Sequence, residues 1–525
     1  MIICIYKYFY IQNLISLENL IVKMIVKDLI PRDYQKNILE TCKLKNTLVV
    51  IPTGIGKTAI AILLAENRIK KYPDSKIIVC SPTKPLCSQH VKSFLEHTSL
   101  KEDEIKLYTG ATKGSSRTDL FDKSKIIIAT PQTIKSDIEN ERISLKNVSL
   151  LCIDEAHRSR MKYANTFLAE NYIKKSDFPR ILALTASPGS SKEKIDEICK
   201  NLYIEDIEIR TELDEDVSPY MQEKGIEWIK VDLPKDFLNI KYLIKEYKQE
   251  RMAELKSKFS INKNNFNKRD LLTLQFSLRK AINRGNKGAF WGISLVAQLL
   301  KICYAQELIE TQGIKQLNDY WTKLKFEETK AAKKILESPK IQKAMQLSFK
   351  FKEDKHPKMH KLLELVNQQL KEKPESRIIV FANYRNTVSE IYDLLKKENL
   401  KPTMLIGQKE GLSQKEQVKT IKDFSEGVYN VLIGTSISEE GLDIATANLA
   451  VFYEPVASEI RTIQRSGRVG RTFPGRVVYL ITKDTKDESS YWSSKSKEKK
   501  MKFALQNIKT DLALKNKNQL KLNQF

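Results

Sequence analysis

The chain has 525 residues, with 90 Lys and Arg against 65 Asp and Glu, a formal net charge of +25, 41% hydrophobic residues and 30% charged ones. That length supplies two or three domains with cores of their own. The hydrophobic content excludes a disordered tail protein, and 18 Gly and 16 Pro without a period exclude a fibrous repeat. The seven cysteines form no CxxC pair and mostly sit in apolar runs, so they read as buried thiols of a reducing compartment and exclude a zinc site or a disulfide framework.

In chain order, the first 24 residues are apolar but broken by Lys7, Glu18 and Lys23, too interrupted to span a bilayer and a poor signal peptide. Met24 restarts the chain just before a motif-rich region, so residues 1–24 are expected to be a non-native extension or a dispensable helix. Between 46 and 210 the runs TLVVI, KIIVC, KIIIA, LLCI and RILAL alternate with amphipathic stretches. Continuous apolar strands separated by helices predict a parallel sheet buried on both faces. Residues 235 to about 355 lack such runs. There QFSLRKAINR, ISLVAQLLKICYAQELIE and IKQLNDYWTKL repeat apolar residues at three and four, which predicts helices. From Arg377 the first pattern returns with RIIVF, TMLI, NVLI, LAVFY and RVVYL, a second α/β domain of similar plan. The tail after about 486 is Lys-rich and weakly amphipathic.

The charge is unevenly placed. Residues 235–358 hold 27 Lys and Arg against 13 Asp and Glu, and residues 486–525 hold 10 against 4. A local surplus of that size suits a polyanion, because each phosphate contact releases counterions; a solvated helical surface is the alternative reading.

The polar motifs follow the strands directly: PTGIGKT, SPTKP, TPQ, DEAH and TAS in the first domain, FANYR, IGQ, GTS and YEP in the second. Open parallel sheets bind ligands at the carboxyl ends of their strands, so these segments line one edge of each sheet, and two edges face to face make one cleft. PTGIGKT has the GK[ST] end of a phosphate loop: backbone N–H groups and a helix N-terminus hold phosphates, Lys57 reaches the outer ones and Thr58 holds Mg²⁺. Ile51 replaces the first Gly of the general pattern. In DEAH, Asp154 at a strand end can share the Mg²⁺, and Glu155 can polarise an attacking water for in-line phosphoryl transfer. In QRSGRVGR, the arginines 465, 468 and 471 recur every three residues, so they share a helix face or turn aimed at one anion, as a finger completing hydrolysis or as a phosphodiester patch.

These motifs together resemble superfamily 2 helicases of the DEAH-box type. The phrases NTLVVIPTGIGKT, SPTKPLCSQH, DEAHRS, LTASPGS, LETQG, HPKM, VFANYR, GTSISEEGLDI, VFYEPVASEIRTIQRSGRVGRT and YWSSKSKEKKM are similar to the helicase part of archaeal Hef, the counterpart of the Fanconi anaemia group M helicase. The resemblance runs from about residue 30 to about 505. It implies an α/β fold of two RecA-like parallel-sheet domains around a basic, thumb-like helical insertion. The boundaries expected are an N-terminal extension 1–24, an ATP-binding domain 25–210, the insertion 235–355, a second domain formed by 225–234 and 356–485, and a basic tail 486–525.

By the same resemblance the protein is an ATP-dependent 3′ to 5′ helicase or translocase that remodels stalled forks and Holliday junctions, using ATP and Mg²⁺. The nucleotide is implied to contact Arg32, Gln35, Pro52, Thr53, Gly54, Ile55, Gly56, Lys57, Thr58 and Asp443, with Gln464, Arg468 and Arg471 completing the catalytic set of Lys57, Asp154 and Glu155. His157, Thr185 and Ser187 are implied to couple hydrolysis to domain closure. Pro82, Thr83, Lys84, Thr109, Gly110, Thr130, Pro131, Gln132, Asn383, Arg385, Gly407, Gln408, Thr435 and Ser436 are implied to touch one strand's backbone, which suits small hydroxyls and N–H groups at strand ends.

Hef continues into a nuclease domain, and this sequence has no ERK-type carboxylate motif after the helicase. Cleavage is therefore expected to belong to a separate nuclease. Gln519, Leu522 and Phe525 have the spacing of peptides that dock on a sliding clamp, with a short 3₁₀ turn pairing Leu522 and Phe525. No membrane partner is expected, and the place of action is the cytoplasm, with the nucleoid. Histidines 90, 97, 356 and 360 lack ligand spacing and read as structural. Two other readings share the motifs: a duplex-RNA-stimulated ATPase of the RNA-sensing or Dicer type, and a scaffold that recruits a nuclease or clamp.

Overall fold

The computed structural model describes residues 26–522 apart from 111, 113, 162, 222–223, 260–265, 407–412, 436–446 and 467–474; of 224, 414, 464 and 515–522 only the backbone is described. The first domain is a parallel sheet of β1 (Thr47–Val50), β2 (Lys76–Cys80), β3 (Ile105–Tyr108), β4 (Ile126–Ala129), β5 (Val148–Ile153), β6 (Ile181–Thr185) and β7 (Asp206–Ile209). Their order is β3-β4-β2-β5-β6-β1-β7. Alternate side chains of one strand enter opposite cores: Leu48 and Val50 pack in one layer, Val49 and Ile51 in the other. Burial on both faces is why these strands read as unbroken apolar runs.

The second domain orders β10 (Pro402–Leu405), β11 (Val431–Gly434), β9 (Ile378–Phe381), β12 (Leu449–Phe452), β13 (Gly475–Thr482) and β8 (Lys224–Val231), again all parallel. β8 precedes the insertion in the chain and pairs along its whole length with β13, from Lys224 opposite Gly475 to Val231 opposite Thr482. The strands absent from the sequence reading, β3, β7 and β8, lie at sheet edges. An edge strand keeps polar residues on its open side, so it does not form a continuous apolar run: Glu208 interrupts β7, and Glu227 and Lys230 interrupt β8.

In the chain between β8 and β9 the described residues of the insertion form six helices, Lys235–Phe259, Lys268–Asn283, Ala289–Thr311, Ile314–Lys325, Lys330–Leu336 and Pro339–Lys350. They enclose a core around Trp321, Phe237 and Leu308 near domain 2, and a second around Leu255, Leu278 and Leu299 farther out. Helix Ala289–Thr311 is the one described helix with the length and hydropathy of a membrane span, and it is packed inside this bundle against helices Lys235–Phe259 and Lys268–Asn283. The insertion is braced on domain 2. Tyr384 Oη donates to Glu307 at 2.7 Å, His356 Nε2 donates to the Glu310 carbonyl at 3.1 Å, and Lys315 pairs with Glu390 at 3.3 Å.

The segment after 486 is not a loose tail. It is one helix, Lys486–Leu522, and residues 519–522 continue it where the sequence predicts a 3₁₀ turn. Its first turns are fixed to domain 2: Asp487 accepts from the fully buried Lys358 Nζ at 2.8 Å, and Thr462 and Ser494 share a hydrogen bond of 2.8 Å. Farther along, Met501, Ala504, Leu505 and Ile508 enter the core of domain 1, and Lys192 pairs with Asp511 at 2.8 Å. The helix therefore straps one domain to the other.

Candidate nucleotide and nucleic-acid site

The chain leaves β1 into a loop whose Gly54 and Gly56 have φ of 85° and 89°, left-handed values that a side chain adopts only with strain. Gly56 caps helix Lys57–Lys71, so the loop delivers backbone N–H groups and the positive end of a helix to one point. A Cβ on Gly56 would stand 2.6 Å from Gln35 Nε2. Gln35 and Tyr34 hold the loop from behind. Tyr34 Oη donates to the Ile55 carbonyl, Gln35 Nε2 lies 3.4 Å from the carbonyls of Ile55 and Gly56, and Gln35 Oε1 accepts the Arg32 N–H at 2.9 Å. The Gln35 amide is thus engaged on the loop itself, and the Arg32 guanidinium lies 5.1 Å from the Tyr220 ring centre. Lys57 Nζ is buried with no hydrogen-bond partner. A buried unpaired ammonium is costly, and next to such a loop it fits a phosphate group.

Asp154 follows β5, which β6 separates from β1. Its Oδ2 accepts from His90 Nε2 at 3.0 Å and Ser81 Oγ at 3.2 Å, and its Oδ1 accepts the Glu155 N–H at 2.9 Å. Burial pushes its pKa up, but the hydrogen bond from His90, with the charge of Lys57 and the Glu155 N–H, outweighs burial and holds the carboxyl below its ordinary value. It is an ionised carboxylate near the phosphate loop, the donor type that Mg²⁺ takes. Thr58, the other expected ligand, begins the helix beside it. Glu155 has a left-handed φ of 51°, a conformation that costs about 1–3 kcal/mol in a non-glycine residue.

From Glu155 a chain of short contacts leaves the site. His157 Nδ1 lies 3.2 Å from Glu155 Oε2 and 3.4 Å from Thr185 Oγ1. The Ser187 N–H donates to Thr185 Oγ1 at 3.2 Å, and Ser187 Oγ lies 3.0 Å from Met501 Sδ of the strap helix. The three residues expected to couple hydrolysis to motion therefore connect the site to a helix rooted in domain 2.

The residues expected to contact the strand backbone fall on the other half of the same edge. Pro82, Thr83 and Lys84 follow β2, Thr109 and Gly110 follow β3, and Thr130, Pro131 and Gln132 follow β4, and these three strands are neighbours in the sheet. Thr83 Oγ1 is buried without a partner, Thr130 Oγ1 meets Thr133 Oγ1 at 2.8 Å, and Lys84 and Gln132 are exposed. Nucleotide motifs occupy β5, β6 and β1. Domain 2 repeats the division: Asn383 and Arg385 follow β9 and Thr435 follows β11, with β10 beside them. Gly407, Gln408, Ser436, Asp443, Arg468, Arg471 and Phe525 lie outside the described residues, and the side chains of Gln464, Gln519 and Leu522 are not described. The outer insertion adds an exposed stripe on helix Lys268–Asn283, where Leu272 and Phe276 stand among Arg269, Arg279 and Lys280, with Lys280 Nζ 4.7 Å from the Phe276 ring centre.

Two sequence readings are corrected. Arg465 does not share an anion-facing surface with residues 468 and 471: it is fully buried, 5.3 Å from the Phe381 ring centre and 5.9 Å from that of Phe452, and its Nη2 donates to Asn383 Oδ1 at 3.1 Å. Asn383, which also bonds Glu454 through its backbone N–H at 2.5 Å, is thereby engaged inside domain 2. Spacing alone does not distinguish a solvated arginine from one stacked on two aromatic rings. The second correction is His90, which reads as structural and instead touches Asp154. Its signal was available: it lies on the first helix after the SPTKP segment, within the helix Lys84–His97 whose start faces the site. Tyr34 lies outside the motifs, and Ser81 and Met501 stand at the ends of SPTKP and YWSSKSKEKKM without a role assigned to them from sequence.

A cavity of about 330 Å³ separates the phosphate loop, at Pro52 and Thr53, from Thr462, Ser466 and the strap residues Glu498 and Met501. Helix Glu459–Ser466, which leads into the segment with Arg468 and Arg471, ends across this space from the nucleotide loop. A phosphate loop that faces a second parallel-sheet domain across a cavity is the arrangement of an ATP-hydrolysing helicase. Its parts match the models for DEAD/DEAH box helicases over residues 32–195, for the helicase conserved C-terminal domain over 357–473, and for the helical bundle of putative ATP-dependent RNA helicases over 236–355. The helicase domain of Pyrococcus furiosus Hef has a similar structure, with a TM-score of 0.71 and 41% identity over 88% of this chain and 98% of that one. The chain belongs to the superfamily 2 helicases of the Hef and Fanconi anaemia group M type. A putative ATP-dependent RNA helicase of Methanocaldococcus jannaschii is 41% identical over 92% of this chain, and the ATP-dependent DNA helicase mph1 of Neurospora crassa is 34% identical over 87%. The chain spans 61% of the length of the first and 41% of the second.

Proposed function

We propose that the protein is an ATP-driven 3′ to 5′ motor that binds and remodels branched DNA, stalled forks and Holliday junctions included, in repair and replication restart. The observation that supports this most is the division of each sheet edge, with nucleotide motifs on β5, β6 and β1 and strand-contact residues on the neighbouring β2, β4 and β3, repeated on β9 and β11. Hydrolysis and polymer contact then share one rigid sheet. Lys57 would hold the outer phosphates, Thr58 and Asp154 would hold Mg²⁺, and Glu155 would polarise the attacking water. Mg²⁺ supplies neutralisation of charge on the transferred phosphoryl group. Gln464, Arg468 and Arg471 complete the site from domain 2, so turnover requires closure. Pro52, Thr53, Gly54, Ile55 and Gly56 form the phosphate loop, with Asp443 toward the ribose.

Relatives of this chain include both a DNA helicase and a putative RNA helicase by name, and duplex RNA is therefore the competing substrate. The test is steady-state ATPase activity with forked DNA, single-stranded DNA and duplex RNA, using wild type and Lys57→Ala. Stimulation by forked DNA that Lys57→Ala abolishes is the expected result. Preference for duplex RNA refutes the DNA reading.

A further inference from the structure

Two buried histidines in this protein are built differently. His356 uses both nitrogens: Nε2 donates to the Glu310 carbonyl at 3.1 Å and Nδ1 accepts the Lys358 N–H at 3.3 Å. His90 is 5% exposed, bonds only Asp154, and leaves Nδ1 buried without a partner. Since a carboxylate can only accept, Nε2 is the donor of this hydrogen bond. An apolar side chain would fill this position without leaving a polar atom unpaired.

Asp154 Oδ2 is held from two elements, by His90 Nε2 at 3.0 Å from helix Lys84–His97 and by Ser81 Oγ at 3.2 Å from the end of β2. Oδ1 is turned by the Glu155 N–H at 2.9 Å. The backbone continues the β2–β5 pairing one residue farther, with the Asp154 N–H donating to the Cys80 carbonyl at 2.8 Å. We infer that His90 is a positioning residue for the divalent cation: together with Ser81 it occupies Oδ2 and fixes the carboxylate rotation, so that the second lone pair of Oδ1 is presented to Mg²⁺. This rests on the proposed role of Asp154 as a Mg²⁺ ligand. Groups that orient a metal-binding carboxylate typically change metal affinity about 10–100-fold when removed.

The experiment measures binding of a fluorescent, non-hydrolysable ATP analogue to the full chain as Mg²⁺ is titrated, so that no turnover is needed. His90→Leu is expected to raise the Mg²⁺ midpoint about tenfold or more. His90→Gln, whose amide can place a donor where Nε2 stands, is expected to stay within about threefold of wild type. Equal shifts for Leu and Gln would mean that packing rather than the hydrogen bond matters, and no shift for either would mean that Asp154 needs no such support; each overturns the inference. Ser81→Ala, a smaller change on the same oxygen, should move the midpoint in the same direction and answers the question if His90→Leu does not fold. Asp154→Asn separates the two readings: an unchanged midpoint there refutes the Mg²⁺ role itself.

Discussion

Release of the strap helix from domain 1 is predicted to uncouple ATP turnover from strand separation. Met501, Leu505 and Ile508 are 4%, 0% and 2% exposed where they enter the domain 1 core. Burying side chains of this size contributes about 1.5–3 kcal/mol each, or roughly 5–9 kcal/mol for the dock. Leu505→Ala with Ile508→Ala removes about 2–5 kcal/mol per site. A loss of only ~4 kcal/mol already shifts the docked equilibrium on the order of a thousandfold. The other end of the helix stays fixed through Lys358 and Asp487, and domain 1 keeps the rest of its two cores. The assay has two parts, tryptic cleavage at the lysines between 495 and 502 mapped by mass spectrometry, and ATP consumed per strand displaced. The double variant should become cleavable in this segment, because proteolysis follows local opening, and its ATP cost per strand should rise about tenfold. Wild-type protection and wild-type coupling in a folded double variant would refute the reasoning.

Further outcomes follow from single residues. Lys57→Met removes a buried unpaired ammonium, so the nucleotide-free protein should melt no lower than wild type in calorimetry, while the stabilisation by Mg²⁺ and ATP analogue, about 2.7 kcal/mol at a hundred times Kd, disappears. Lys358→Met should destabilise domain 2 by about 3–5 kcal/mol, because it leaves the 2% exposed Asp487 without its cation; adding Asp487→Leu should recover much of that in urea denaturation. Burial pushes the Glu454 carboxyl up to about 7, against the pull of Lys358. Its contribution is then complete below the unfolded value near 4.5 and is lost as pH rises through about 7, so Glu454→Gln should flatten that part of the melting-temperature profile. Lys280→Glu should weaken forked-DNA binding and lower the salt slope by about one.

The central strands were legible because burial on both faces leaves only apolar residues, as in IIIA of β4 and LAVF of β12. The edge strands β3, β7 and β8 were not: Lys106 and Glu227 stand where a solvent-facing side is allowed, and Glu208 is paired with Arg210 at 3.0 Å. Motifs located the nucleotide loop and the Asp154–Glu155 pair because the chemistry there depends on local sequence. Contacts made in three dimensions left no such trace: Arg465 on two phenylalanine rings, and Ser187 on Met501, 314 residues away. The strap helix has a packing stripe through 491, 494, 498, 501, 505 and 508, but Ser494 and Glu498 interrupt it and the surrounding lysines give the composition of a solvated tail.

The most direct test of the motor is strand displacement on a forked DNA under single-turnover conditions, with ATP, with a non-hydrolysable analogue, and with Glu155→Gln in place of wild type. The account predicts displacement by wild type with ATP alone, starting from a 3′ tail, and none in the other two reactions. Displacement that proceeds without hydrolysis, or ATP hydrolysis that moves no DNA strand while an RNA duplex opens, would contradict it.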